Sequence, residues 1–153
     1  MEQLEYRLLK DDEDFDILYH YELDDVEAAA RKMSEFYVKD NTVFQTVSVA
    51  KEPLATAIYV KEFSSNTPFT DEKTYSGINL EIRKFNNIGD SPLLKTIENT
   101  THLEVLRHFQ SDFIYIPMKE EKFLEYKLVS TEIDEQRNTY VYYCEPTHTM
   151  LRY

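Results

Sequence analysis

Most of the residues in this chain that could do chemistry are carboxylates, and their spacing decides which chemistry is open to them. Asp12, Asp14 and Asp16 alternate as a calcium-binding loop begins, but such a loop needs glycine at its sixth position and a bidentate acid at its twelfth. Those positions hold Ile17 and Leu23. On a strand, Asp14 and Asp16 would stand about 6.6 Å apart on one face, near enough to share a divalent ion, with His20 roughly 13 Å further along and out of reach. The plainer reading, a solvated turn, is the expectation. His102 and His108, six apart on a predicted helix, are turned about 240° from one another and make no helical ligand pair. His20 and His148 have no local partner. No G-x-S-x-G surrounds a serine, and Cys144 lies in a Tyr-Val-Tyr-Tyr-Cys strand where a buried, inert thiol is expected. No metal and no cofactor is predicted.

A second constellation is Asp112 followed by Glu125-Tyr126-Lys127. Glu125 and Lys127 share one face of a predicted strand, and two acids with a lysine are what a metal-dependent phosphodiesterase requires. The carboxylates hold the ion and the lysine steadies the attacking water. This layout resembles the nuclease family with a PD-(D/E)xK core, although Ser111 stands where the family has proline. The resemblance implies a small metal-dependent hydrolase using Asp112, Glu125 and Lys127. Set against it are the ease with which E-x-K arises in a chain that is 30% charged and the plainer role of an exposed cross-strand charge pair.

Charge argues in the same direction. The 29 acidic residues outnumber 17 Lys and Arg for a net charge of −12, so direct binding to a nucleic-acid backbone is not expected. Only Gly77 and Gly89 are present, far apart, which excludes the glycine-rich nucleotide loops. A single cysteine fits a reducing compartment, and with no apolar run near the ~18 residues of a membrane span the expectation is a cytoplasmic protein without membrane contact.

The elements that must position these residues read as follows. The 153 residues suit one domain spanning 1–153, with a weak internal boundary near 64–74. Strands are predicted over Glu5 to Lys10, Phe15 to Leu23, Thr42 to Ala50, Ala55 to Phe63, Ile78 to Phe85, Phe113 to Pro117, Phe123 to Val129 and Thr139 to Glu145. On the second of these, Phe15, Ile17, Tyr19, Tyr21 and Leu23 fall on one face and Asp16, His20 and Glu22 on the other. Asp24 and Glu27 predict a capped helix whose stripe is Val26, Ala29, Ala30, Met33, Phe36 and Tyr37, with Glu27 and Arg31 paired on its exposed side. Ser91-Pro92 could open a helical turn, and Thr101 with Glu104 a second helix. The fold class is α+β, a single domain with a mainly antiparallel sheet of seven to nine strands and two or three helices packed on it. No internal repeat is visible.

What remains is distributed. Residues 1–35 hold 12 acids and 4 bases, net −8, and the chain has 12 tyrosines, too many for the core alone. An acidic, tyrosine-bearing face suits a basic protein partner. The expected function is a non-enzymatic acidic interaction or regulatory module, with Asp11, Asp12, Asp14, Asp16 and Glu22 as its surface.

Overall fold

Two helices lie across one face of a ten-stranded sheet in this computed structural model, whose described residues are 1–11, 14–63, 68–69 and 72–152. In chain order the elements are β1 (Glu2–Leu9), β2 (Phe15–Leu23), α1 (Asp25–Lys32), β3 (Phe36–Lys39), β4 (Thr42–Lys51) and β5 (Thr56–Glu62). There follow β6 (Leu80–Lys84), β7 (Leu93–Ile97), α2 (His102–Phe109), β8 (Phe113–Pro117), β9 (Lys122–Asp134) and β10 (Thr139–Arg152). The spatial order is β2-β1-β5-β4-β3-β9-β10-β6-β7, with β8 also on β9.

The sheet is mixed rather than mainly antiparallel, and it has more strands than the seven to nine expected. β1 runs parallel to β5, β6 to β10 and β3 to β9. Each helix carries the chain across the sheet, so the meander behind it returns to lie beside the strand that opened the half. Periodicity identifies a strand but carries no information on its direction.

Three local expectations are corrected. Ser91-Pro92 precedes strand β7 and not a helical turn; the Ser91 hydroxyl is held in the loop, donating to Asn87 O and accepting from Asn86 N. A bulge in β2 between the partners of Tyr6 and Arg7 moves Phe15 and Ile17 off the face of Tyr19, Tyr21 and Leu23. The latter three join the core beneath the helices, while the Phe15 ring lies on the Arg7 guanidinium on the other side. In α1, Asp24 caps as expected, accepting from Val26 N and Glu27 N, but the helix stops at Lys32 and Phe36 and Tyr37 enter β3. Its buried residues are Ala28, Ala30 and Arg31, so Arg31 lies inside and Val26 and Met33 are exposed.

The element order repeats: ββαβββ occurs twice, and the registers of the two copies coincide. Leu4, Tyr6 and Arg7 face Thr56, Ile58 and Tyr59; Leu80, Ile82 and Arg83 face Tyr140, Tyr142 and Tyr143. The β1–β2 ladder slips between Tyr6 and Arg7, and the β6–β7 ladder between Ile82 and Arg83. The β4–β5 ladder bulges at Val47 and the β9–β10 ladder at Val129, each followed by serine. Thr46 N donates to Glu35 O where Leu128 N donates to Asp112 O. Leu4-Glu5-Tyr6-Arg7 therefore answers to Leu80-Glu81-Ile82-Arg83, and Ser34-Glu35-Phe36 to Ser111-Asp112-Phe113.

The larger core fills the helix face around Leu4, Tyr6, Tyr37, Ile58, Val105, Phe109 and Tyr142. A smaller one covers the opposite face from β4 across the centre to β10 and the β6–β7 loop, with Phe36, Val38, Val43, Phe69, Ile88 and Tyr143.

Candidate functional site

On the face away from the helices each half buries an arginine beside the same glutamate. Arg7 Nε donates to Glu5 at 2.9 Å, Nη1 and Nη2 grip Glu52 at 2.8 and 2.9 Å, and Phe15 and Tyr59 flank it. Arg83 Nε donates to Glu81 at 2.8 Å, but Arg137 intervenes where the first half has nothing comparable. It donates to both Glu81 oxygens at 2.9 Å and to Asp134 at 2.8 Å, and the Phe69 ring is stacked on both guanidinium groups. Burial works to raise the Glu81 carboxyl, yet the Arg137 and Arg83 hydrogen bonds outweigh it and hold the group below its ordinary range. Beside this network Glu132 is fully buried, and burial with the neighbouring Asp134 charge pushes it up to about 8. Its Oε1 accepts from the Tyr143 hydroxyl at 3.0 Å and its Oε2 has no partner. Its surroundings favour the protonated form, while Glu81, Asp134 and the part-exposed Glu72 face Arg83 and Arg137. This network ties the β9–β10 turn to β6.

On the helix face a cleft of about 280 Å³ opens between the N-terminal ends of the helices and the β9–β10 turn. His102 bridges it, with Nδ1 3.0 Å from the Tyr140 hydroxyl and Nε2 3.1 Å from Glu27. Arg31, 6% exposed, donates to Glu135 at 2.7 Å, and Glu135 also accepts from Tyr21, Tyr37 and Lys39. Burial favours a neutral Glu135 carboxyl, but the Arg31 charge and hydrogen bond prevail and lower it. Its titratable groups converge on each other. Cys144, buried beneath the sheet, has its thiol pushed up to about 12 and is no nucleophile at neutral pH.

The halves meet along a seam in which the repeat breaks. One side of β9 carries β8 beside Phe123–Lys127 and β3 beside Glu132–Asp134. By the repeated register β4 should carry a strand beside Ala50-Lys51-Glu52; among the described residues β3 covers only Thr42–Gln45, and Val47–Lys51 have no neighbour on that side. One difference between the halves lies at this point. Thr131 Oγ1 accepts from Glu35 N at 3.0 Å and donates to Met33 O at 2.7 Å, fastening the entry to β3 onto β9. Its counterpart on β4 is Val49, which has no hydroxyl to fasten the entry to β8. The result is a groove of about 320 Å³ lined by Met33, Thr46, Val129 and Ser130, whose buried Oγ has no partner.

Exposure follows the same break. Phe36 and Val38 in the first half are 4% and 1% exposed, whereas their counterparts Phe113 and Tyr115 are 46% and 42% exposed. Val47, Val49 and Val129 are 50%, 42% and 38% exposed.

The residues proposed from sequence are scattered. Asp11 and Asp14 are exposed at the β1–β2 turn, Asp16 pairs with Lys10 at 2.9 Å, Glu22 is exposed near the far end of β2, and Asp12 lies outside the described residues. Glu125 accepts from Tyr115 and from Thr147, both at 2.8 Å; Lys127 faces Glu145 across the ladder, and Asp112 precedes β8. Among the described residues no group of three His, Cys, Asp or Glu is placed to hold a metal ion, and no helix is long and apolar enough to cross a membrane. The seam was missed because nothing in a single strand's pattern tells that its edge is bare; the shared Leu-Glu-x-Arg and Ser-acid-Phe segments were the signal of the repeat that reveals it.

Comparison with known proteins adds no relative: no family model matches the chain, and no curated protein or solved structure matches it.

Proposed function

We propose that this protein is a non-enzymatic interaction module that docks a basic protein partner on the seam between its two halves. The observation that supports the reading is the contrast within the repeat: the apolar positions buried in the first half, Phe36 and Val38, are exposed in the second as Phe113 and Tyr115, on the strand paired with Phe123–Lys127 of β9. Exposed apolar side chains gathered around an unpaired strand edge are an ordinary mark of a docking surface. The cleft under the helices has the shape of a small-molecule site, and in it His102, Glu27 and Glu135 are partnered to each other, to Arg31 Nη2 or to tyrosines, while Arg31 Nε and Nη1 have no hydrogen-bond partner among the described residues. The net charge of −12 supplies long-range attraction for a basic partner.

The test is affinity capture from the cells of origin with the wild type and with a Phe113→Ser, Val129→Ser double variant of matched melting temperature. The reading predicts a partner captured by the wild type and lost with the variant. Capture of nothing, or of the same proteins by both, overturns it.

A further inference from the structure

We infer that the β4 edge from Val47 to Lys51 is a docking site for an extended segment of a protein partner, one with aromatic and β-branched residues closed by a lysine or arginine, lying parallel to β4. This rests on the interaction reading above and specifies its chemistry. The chain itself shows the fitting occupant, because the equivalent edge of β9 is filled. There Phe36-Tyr37-Val38-Lys39 lies parallel to Glu132–Asp134, and Lys39 Nζ closes the strand 3.1 Å from Glu135. On β4 the corresponding stretch is Ala50-Lys51-Glu52, with Glu52 in the place of Asp134. The Glu52 side chain is part-exposed on its bond to Arg7 and accessible to a second cation.

The edge has what strand addition needs. Main-chain groups of Val47 to Lys51 face no strand on that side among the described residues, and exposed Val47 and Val49 offer apolar contact. The groove beside it adds Met33, Val129 and the unpartnered Ser130 hydroxyl. Parallel addition follows from the β3–β9 precedent; Pro53 stands where Glu135 receives Lys39, so the basic closing residue rests on the charge of the part-exposed Glu52 one position earlier.

The probe is a fluorescent peptide of residues 34–41, Ser-Glu-Phe-Tyr-Val-Lys-Asp-Asn, titrated against the full chain. Binding should weaken at least tenfold in Val49→Lys and in Val47→Lys, each with an unchanged melting temperature, and stay at the wild-type value in the control Leu103→Lys on α2. A peptide carrying K39E should also bind at least tenfold more weakly. Amide exchange should slow at Val47–Lys51 when the peptide is bound. No binding, equal affinity for Val49→Lys and wild type, or slowing at Glu132–Asp134 instead, which is the signature of the peptide displacing β3, overturns the inference. The two proposals fail separately. Capture that depends on Phe113 and Val129 together with a peptide indifferent to Val49→Lys removes strand addition alone. A peptide docked on β4 with no captured partner removes the interaction reading alone.

Discussion

At the scale of single residues the structure is set by buried charges that hold one another. Arg137 is the keystone of the network on the face away from the helices, because Glu81 and Asp134 both depend on it. Arg137→Ala would leave two buried carboxylates underpaired, and the expected cost is about 3–5 kcal/mol in a denaturant titration, enough to bring an ordinary domain near unfolding. Glu132 behaves oppositely. Its folded-state pKa is raised from an ordinary 4.5 to about 8, so the stability it permits is fully present below about pH 4.5 and is lost as pH rises through about 8. Glu132→Gln keeps an acceptor for Tyr143 without the ionisation. It should therefore be more stable than wild type at pH 9, on the order of a few kcal/mol, with the gap closing toward pH 5. Melting curves at pH 5, 7 and 9 check this; a gap that does not change with pH contradicts the assignment. None of these roles was legible beforehand, since the partners of Glu81 and Arg137 lie 56 positions apart in the chain.

At the scale of elements, what the sequence announces is what neighbours along the chain decide. Asp24 and Thr101 cap α1 and α2 as their spacing implied, each accepting from backbone N–H groups of the first turn. Asp24→Ala and Thr101→Ala should each cost about 1 kcal/mol in chemical denaturation, with similar values because the two helices occupy equivalent places. A cost near zero for either would mean that its cap is idle. Ala30→Asp would put an unpaired charge on a fully buried position under the sheet and should cost several kcal/mol. In the second half β6, β8, β9 and β10 were legible by alternation, though not at their full length, and β7 was not, having been read as a helical turn. β10 runs to Arg152 through Pro146 because its ladder with β9 breaks between Pro146 and Met150 and resumes. The bulges at Leu18, Val47 and Val129 were illegible, since an extra residue in one strand is defined only against its partner. That is why half of β2 was assigned to the wrong face, and why the repeat, carried mostly by register and by two short shared segments, escaped notice.

For the whole molecule, the repeat makes the two halves each other's control. What β3 does for β9 no strand does for β4 among the described residues, and the exposed apolar residues around that edge are the surface on which the interaction reading rests. The interaction reading predicts that the acidic end acts at a distance and not by contact. Asp11 and Asp14 are exposed at the β1–β2 turn, so replacing both with Asn should slow association with the captured partner and flatten its dependence on salt, leaving the dissociation rate unchanged. Stopped-flow mixing at low and high ionic strength measures this, and identical on-rates at low salt would reduce the acidity to a solubility feature. The most direct test of the docking surface is photo-cross-linking in living cells, with the reactive residue placed in turn at Val47 on the seam and at Leu93, an exposed residue on the β7 edge. The account predicts a covalent partner adduct from position 47 and none from position 93. Adducts of equal yield at both positions, or at 93 alone, would contradict it.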